Sequence, residues 1–387
     1  MNRMKKGLSG MLFLVVLFGL SSAVLFSGQK SYSATEKRQL QTRPKATFAT
    51  IKEGTFQKKL ENYFRDQFPQ RDHWVELETA IKRGTGTKES NGVYFGKDHY
   101  LLEKYSPDDF PQKQLKKNLK ALTEFVTEAG TYGKVHVMMV PTKSWMLREK
   151  LPAYAPNYEE QKFYDALENT LNENLLIPVD SVLEEHRNEE IYYRTDHHWT
   201  TLGAWYGYEA YVRATGGDVT AAAGKKQLQC ISTDFYGTTY AKVHQAAQAD
   251  EIWIYKPQAS LKVIYNMGEK TSKSLYDRSF LQTQDQYSVF TGGNQAVLEI
   301  TGGKKNGKTL LVIKDSFANC ILPFLAEDYE KLVVVDLRQL NVKGSALLEM
   351  FAPSEVLILY NSAQFVQDKE FAIKCKSTRP TDEESND

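Results

Sequence analysis

The chain has 387 residues, 41% of them hydrophobic, and a formal net charge of +1 at pH 7. This length suffices for one large domain or two modest ones with a sizeable core, and the lack of a basic surplus argues against a nucleic-acid partner. The three cysteines, Cys230, Cys320 and Cys375, are too widely spaced for a zinc pattern or a disulfide framework.

The N-terminal segment predicts the compartment. Three basic residues within the first six are followed by an uncharged, largely apolar stretch from Gly7 to Gln29. That stretch exceeds the roughly 7–15 apolar residues of a cleaved signal peptide and reaches the roughly 20 of a spanning helix. Because basic residues stay on the cytoplasmic side, we expect a signal anchor over residues 1–30, with a single pass through the cell membrane and an extracytoplasmic remainder. A cleaved signal, which would make the protein secreted, is the alternative.

The next elements are read from local pattern. Residues 31–54 are polar and irregular and predict a stalk. The apolar periodicity from Gly54 to Arg83 predicts two helices with a corner at Asp66–Asp72, where a proline interrupts the pattern. A hairpin of two short aromatic strands is predicted over Asn91–Leu102, and an amphipathic helix over residues 112–130.

Five short apolar runs are of the kind that form fully buried parallel strands. They are Val135–Val140, Leu175–Val179, Leu310–Ile313, Leu332–Val335 and Val356–Leu359. Helical segments at Glu159–Glu173 and Phe317–Ala326 alternate with these runs, which indicates an α/β sheet with crossover helices.

Residues 216–307 differ from this pattern and predict a β-rich insertion in the α/β domain. Four short strand-like pieces are separated there by turn residues: Glu251–Tyr255, Leu261–Tyr265, Tyr287–Phe290 and Ala296–Ile300. The composition of residues 376–387 predicts a disordered tail.

The segment Tyr192–Thr200 reads YYRTDHHWT and places Asp196 beside two imidazoles. An aspartate that accepts a hydrogen bond from one ring nitrogen fixes the tautomer of a histidine and leaves the other nitrogen to take a proton. One alternative is a surface turn that caps the following helix through its threonines. The other is a zinc site, which is disfavoured because adjacent histidines in a strand point to opposite faces and no HExxH spacing is present. No metal or other cofactor is predicted.

The segment Leu310–Asn319 reads LLVIKDSFAN, a buried strand that leads into Ser316 and then a helical stretch. Open α/β sheets bind ligands at the carboxyl ends of their strands, and a helix N-terminus offers free N–H groups to an oxyanion. The alternative is that Ser316 or Asp315 only caps this helix.

Strand order connects the two segments. Lipase-like enzymes of the SGNH class place a serine after the first strand, an asparagine after the third, and an Asp-x-x-His after the last. Starting from Leu310, this chain gives Ser316 after one strand and Asn361 at the end of Val356–Leu359. The front of the chain then supplies two more strands, followed by Asp196 and His198. The order is that of a circularly permuted SGNH domain.

The chain resembles the DHHW family of bacterial surface proteins, which is related to the SGNH-like O-acetyltransferases of alginate biosynthesis. The resemblance spans residues 55–375 and rests on DQFPQR at Asp66–Arg71, Gly92–Asp98, VPTKS at Val140–Ser144, RTDHHWT at Arg194–Thr200 and KDSF at Lys314–Phe317. It implies an α/β fold, a circularly permuted SGNH-hydrolase-like parallel sheet with flanking helices.

In the alginate relatives the motif Asp-x-His-Trp matches Asp196, His198 and Trp199, which makes His198 the matched base, while His197 takes the variable position. The serine of these relatives corresponds to Ser316. The chain departs from SGNH enzymes in its Asp-x-His spacing, and in having no glycine after Leu332–Val335 where those enzymes place an oxyanion donor.

The resemblance implies an extracytoplasmic serine O-acetyltransferase with Ser316, His198 and Asp196 as its triad. It further implies a polysaccharide acceptor and an acetyl donor supplied by a multi-pass membrane O-acyltransferase. A secreted carbohydrate acetylesterase with the same triad, or a non-catalytic polysaccharide-binding or assembly protein, are the alternatives.

Five further residues are candidates around this triad. Backbone N–H groups near Ser316 and Phe317, with Asn361, are predicted to hold the oxyanion, although Asn361 could equally form a strand-end turn. Tyr193 and Arg194 would either orient the substrate or be buried partners of a carboxylate. Lys143 would be a substrate contact or a solvated strand end.

Overall fold

The computed structural model describes residues 38–218, 227–245, 248–257 and 259–376, together with 28–33 and part of 11–26. The signal anchor predicted over residues 1–30 and the tail predicted over 376–387 lie largely outside this described part. Within it, no helix is both long and apolar enough to cross a membrane. The chain divides into two compact units.

The first unit comprises Met1–Asn91 and Tyr240–Gln245. Its elements are β1 (Tyr32–Ser33), β2 (Arg38–Gln39), α1 (Phe48–Lys52), α2 (Thr55–Asp66), α3 (Arg71–Gly84), β3 (Glu89–Ser90) and a one-turn helix at Tyr240–Val243. The predicted corner between two helices is confirmed. Helix α2 ends before Pro69, whose ring removes a backbone donor, and α3 begins after Gln70, which has a left-handed φ of 54°.

The second unit comprises Gly92–Thr239 and Ala246–Asp387. Its strands are β4 (Val93–Phe95), β5 (Leu101–Glu103), β6 (Lys134–Val140), β7 (Leu228–Phe235), β8 (Asp250–Tyr255), β9 (Lys262–Tyr265), β10 (Lys270–Ser272), β11 (Val297–Thr301), β12 (Thr309–Lys314), β13 (Lys331–Val335) and β14 (Glu355–Asn361). Its helices are α4 (Gln112–Ala129), α5 (Lys143–Met146), α6 (Gln161–Glu168), α7 (Val179–Glu185), α8 (Thr201–Ala214), α9 (Leu322–Leu325), α10 (Gly344–Phe351), α11 (Ser362–Gln367) and α12 (Lys369–Cys375). The predicted hairpin is confirmed by the antiparallel pairing of β4 with β5, and the predicted amphipathic helix by α4.

Seven strands form one mixed sheet in the order β10-β9-β11-β13-β12-β14-β6. Strands β13, β12, β14 and β6 are parallel, and β11, β9 and β10 extend the sheet in antiparallel fashion. Counted from β12 along the permuted chain, the parallel strands lie in the order 2-1-3-4. The order reverses between β12 and β14, the switch point where doubly wound sheets bind their ligands. The predicted fold class, a permuted α/β sheet with flanking helices, is confirmed.

The parallel strands are largely apolar in their central residues because both faces of the sheet are covered. On β12, Leu310 and Val312 pack into the core that contains α8, whereas Leu311 and Ile313 pack into the core that contains α4. All four side chains are fully buried. Burial on both faces fixes the carboxyl end of β12 within the sheet, and therefore the position of Ser316.

Two predicted strands are wrong. Leu175–Val179 makes only a single bridge to β6, between Leu176 and Val137, and Val179 already begins α7. Pro178 explains this, since it has no N–H to donate to a strand ladder. Tyr287–Phe290 is mostly a 3-10 turn over Gln286–Val289.

The predicted β-rich insertion is only partly separate from the α/β domain. Strands β7 and β8 form a hairpin of their own. Strands β9, β10 and β11 instead belong to the main sheet, where β11 pairs with β13. Periodicity indicated these strands but could not indicate their partners.

Candidate active site

Asp196 and His198, the predicted acid and base, lie in one tight loop before α8. Tyr192 forms an antiparallel bridge with Trp199, and the Tyr193 N–H donates to the His198 carbonyl over 3.2 Å. Thr200 caps α8 by accepting from the Gly203 N–H at 3.2 Å. The capping alternative considered for this segment is therefore present together with the Asp–His pair.

Two buried charged side chains, Lys143 and Asp250, form hydrogen bonds to the backbone of this loop. Lys143 Nζ donates to the carbonyl oxygens of Tyr193, Arg194 and Asp196 at 3.1, 3.3 and 2.6 Å. Asp250, the first residue of β8, accepts from the Arg194 N–H at 2.7 Å. Because the loop backbone is fixed by these bonds, its side chains project from a rigid base.

Ser316 follows β12 directly and is the first residue of a 3-10 turn over Ser316–Cys320. It is the one residue from 310 to 326 that is not buried. Asp315 caps the turn: its Oδ1 accepts from the Phe317 N–H at 2.9 Å, and its Oδ2 accepts from the Asn361 N–H at 2.8 Å. The cap joins the ends of β12 and β14, so Ser316 lies at the switch point of the sheet.

The structure brings the three predicted triad residues together. His198 Nε2 lies 2.8 Å from Ser316 Oγ, and His198 Nδ1 lies 2.5 Å from Asp196 Oδ1. A carboxylate can only accept, so Nδ1 carries the proton and Nε2 is left as the acceptor of the serine hydroxyl. This is the tautomer that a general base needs.

The Asp196 carboxylate is completely buried and well anchored. Besides the His198 ring, its Oδ1 accepts from the His198 N–H at 2.9 Å. Its Oδ2 accepts from the Thr238 N–H at 2.7 Å and from the Thr238 hydroxyl at 2.9 Å. Charge-assisted hydrogen bonds favour the ionised form of a buried carboxyl, so these bonds keep Asp196 as an acceptor facing the imidazole.

Gly237 leaves room for this carboxylate. A Cβ placed on Gly237 would lie 2.2 Å from the Asp196 Cβ and 2.3 Å from its Oδ2. Ordinary van der Waals contact begins near 3.4 Å. Only glycine therefore permits the approach of the 237–238 backbone from which Thr238 donates.

Aromatic groups fix the imidazole and the turn. The Tyr287 ring stacks on the His198 ring with centroids 3.9 Å apart and an interplanar angle of 8°, and its hydroxyl donates to the Ser316 carbonyl at 3.2 Å. Burial holds the pKa of Tyr287 well above its usual value, so the phenol stays neutral. Trp199 Nε1 donates to the Phe317 carbonyl at 2.8 Å, which ties the loop to the turn.

His197 lies on the same side as His198, contrary to the prediction from strand geometry. The two rings are 3.8 Å apart and tilted by 36°, because the segment is a loop in which residues need not alternate between faces. His197 Nδ1 lies 2.5 Å from the Thr238 hydroxyl. Ligand atoms of Asp196, His197 and His198 all lie within 4.8 Å of one another. A cation there would have to displace the bond between Asp196 and the His198 ring.

Two of the three predicted oxyanion donors already have partners. The Phe317 N–H is taken by Asp315, as described above. The Asn361 side-chain amide donates to the Val140 carbonyl at 3.0 Å, and its Oδ1 accepts from the Gln364 N–H at 3.4 Å. Asn361 thus caps α11, in keeping with the strand-end alternative, although a side-chain amide has a second N–H to offer. The Ser316 N–H heads its turn and has no acceptor within it.

The remaining predicted residues support the loop. Lys143 is 3% exposed, which excludes the solvated strand end, one of its two alternative roles. Its three carbonyl contacts match the three donors of an ammonium group. Tyr193 is buried, with its ring edge-on to Phe235. The Arg194 guanidinium pairs with Glu190 and lies over the Tyr100 ring. A carboxylate partner, one of the two alternatives for Arg194, is therefore present.

Sequence reasoning missed Gly237, Thr238 and Tyr287. Each is distant along the chain from the residue that it contacts, and none belongs to a motif that the chain shares with a known site. The adjacent Gly-Thr after β7 was the one available signal, since glycine before a short hydroxyl residue permits a close backbone approach.

Comparison with known proteins finds one family model and several solved structures that this chain resembles. Residues 158–335 match the family model described as DHHW protein. A solved DHHW family protein from Eubacterium siraeum is 25% identical, with a TM-score of 0.63 over 76% of this chain and 98% of that chain. Bacillus cereus PatB1, solved with a sulfonyl adduct, is 19% identical, with a TM-score of 0.60 over 74% and 98%.

A search of curated proteins finds no match. The fold is shared with both solved structures. The region from 158 to 335 includes the acid, the base and the serine. The resemblance to the DHHW family predicted from the sequence is therefore confirmed by the match over residues 158–335.

Proposed function

We propose that this protein is an extracytoplasmic serine O-acetyltransferase that acts on a polysaccharide through Ser316, His198 and Asp196. The observation that carries the proposal is the continuous hydrogen-bonded series from Asp196 through His198 to the partly exposed Ser316 hydroxyl. The transferase direction and the glycan acceptor rest on the family resemblance.

The first half-reaction acylates the serine. His198 Nε2 takes the Ser316 proton while Oγ attacks the acetyl carbonyl carbon of a donor ester or thioester. The carbonyl electrons move onto oxygen, where the Ser316 N–H and the second N–H of the Asn361 amide would stabilise the charge. Collapse of this intermediate expels the donor group, which takes the proton from His198.

The second half-reaction transfers the acetyl group. A sugar hydroxyl gives its proton to His198 and attacks the acetyl-serine carbonyl, and Ser316 Oγ leaves and regains a proton. In both halves the imidazolium is stabilised by Asp196 and by the stacked face of Tyr287, since a cation over an aromatic ring is attracted by about 0.5–2 kcal/mol.

An acetyl-ester assay on the purified full-length chain tests the serine mechanism. Wild type should hydrolyse a fluorogenic acetyl ester, and Ser316→Ala should lose this activity, with a residual rate from binding alone. Ser279→Ala, which removes the hydroxyl of an exposed serine outside the site, is the matched control and should keep the wild-type rate. Equal turnover by wild type and Ser316→Ala would rule out the mechanism.

A second arm of the assay separates transfer from hydrolysis. Glycans are added as acceptors, and released acetate is compared with acetylated sugar. Acetylated sugar that increases with acceptor concentration supports the transferase, whereas acetate alone would favour the esterase.

A further inference from the structure

A basic cleft lies beside the hairpin strand β8, in the second unit. It has a volume of about 470 Å³, and Lys256, Lys273 and Arg278 lie along it. Its apolar lining includes Ile254, Leu261 and Leu275, of which Ile254 and Leu275 are almost fully buried. Ligand clefts of 300–1,000 Å³ commonly combine an apolar lining with a few polar groups that set specificity.

The charge of the basic cleft is one-sided. None of the described residues that line it is acidic. Lys256, Lys273 and Arg278 are all exposed, and no ion pair joins any of them to another described residue. The neighbouring acids are used elsewhere: Asp277 pairs with Lys270 at 3.2 Å, and Glu327 accepts from the Ala259 N–H at 2.9 Å.

The basic cleft is connected to the catalytic histidine through the backbone. The segment that carries Lys273 and Arg278 bridges to a second segment through Tyr276 and Phe290, and the Asp277 N–H donates to the Val289 carbonyl at 2.9 Å. That second segment also carries Tyr287, whose ring stacks on His198. The lining of the cleft and the ring that stacks on His198 therefore belong to two adjacent, hydrogen-bonded segments.

We infer that the basic cleft binds an anionic stretch of the acceptor glycan, so that the polysaccharide of the proposed reaction carries carboxylate or phosphate groups. This inference rests on the proposed function. Three cations that pair with no described acid, set around an apolar floor, complement a chain whose negative groups are spaced by sugar rings. A neutral glycan would not compensate that charge.

Binding of carboxylated oligosaccharides tests the inference. Oligogalacturonate, a phosphate-bearing oligosaccharide and a neutral malto-oligosaccharide of equal length are titrated into the full-length protein by calorimetry at low and moderate salt. The cleft variant carries Lys256→Gln, Lys273→Gln and Arg278→Gln. The control variant carries Lys113→Gln, Lys116→Gln and Lys117→Gln, which remove the same charge at positions on α4 outside the cleft.

The wild-type protein should bind at least one anionic oligomer, more weakly as salt rises, and should bind the neutral oligomer much less. Exposed ion pairs are individually weak, so the cleft variant should lose about tenfold in affinity, while the control variant should stay within about twofold. Preference between the two anionic oligomers identifies the charged group. Equal weakening in both variants, or equal binding of neutral and anionic oligomers, would overturn the inference.

Hydrolysis of a small acetyl ester separates this inference from the proposed function. The cleft variant should hydrolyse such an ester as wild type does, because no cleft residue contacts the triad. Cleft-dependent binding without any wild-type turnover would overturn the serine mechanism and still support an anion-binding cleft. Normal turnover with no anionic binding would overturn the cleft alone.

Discussion

Replacing Gly237 by alanine should displace Asp196 without substituting any of the three proposed triad residues. The added Cβ would lie 2.2 Å from the Asp196 Cβ, so the two backbones must separate by about 1 Å to reach ordinary contact. Asp196 Oδ2 is held by two bonds from Thr238, and such a shift stretches both. A misplacement of about 1 Å in an active site can cost about 100-fold in rate.

We therefore expect the kcat/KM of acetyl-ester hydrolysis to fall about 100-fold in Gly237→Ala, which corresponds to about 2.7 kcal/mol of transition-state stabilisation. Gly84→Ala is the matched control, because nothing lies within 4 Å of the added Cβ and its φ is not left-handed. Thermal unfolding and circular dichroism establish that both variants are folded. A folded Gly237→Ala protein with wild-type kcat/KM would refute the role assigned to the anchored carboxylate.

Three further predictions concern buried polar groups around the site. Burial raises the pKa of Glu160 to about 7, so the folded chain holds a proton that the unfolded chain loses near pH 4.5. The unfolding free energy should therefore fall by about 3 kcal/mol between pH 4.5 and pH 7. In urea titrations, Glu160→Gln should remove this pH dependence. Burial lowers the pKa of Lys314 to about 8, whereas the unfolded chain keeps this proton up to about pH 10.5. The unfolding free energy should therefore rise by about 3 kcal/mol between pH 8 and pH 10.5. In Lys314→Met the unfolding free energy should not show this rise. Trp199→Phe removes the indole N–H that donates to the Phe317 carbonyl and leaves only the weaker contact from Cys320 Sγ at 3.6 Å. This should cost about 0.5–1.5 kcal/mol in unfolding free energy, and kcat should change more than KM.

The sheet could be predicted because its strands are buried on both faces. Continuous aliphatic runs such as Leu310–Ile313 and Leu332–Val335 are typical of strands in the centre of a sheet, where both faces are buried. The run Leu175–Val179 has the same composition, but Pro178 within it prevents ladder pairing. Composition alone therefore overestimates strands wherever one residue removes a backbone donor.

The triad could be predicted in part because its acid and base are two residues apart. The pairing with Ser316 required strand order, since 118 positions separate it from His198. The contact between Thr238 and Asp196 could not be predicted for the same reason, since 42 positions separate the two residues and no sequence motif connects them. The bond from the Phe317 N–H to Asp315 could not be predicted from the sequence, because a backbone N–H reveals its partner only in three dimensions.

A rapid-quench experiment detects the acetyl-serine that the proposed mechanism requires. The protein is mixed with an acetyl donor, quenched in acid within the first turnover, and mapped by peptide mass spectrometry. We expect acetyl on Ser316 in wild type, none at this position in Ser316→Ala, and much slower accumulation in His198→Ala. Product formation with acetyl on another residue, or with no acetylated peptide at any quench time, would contradict it.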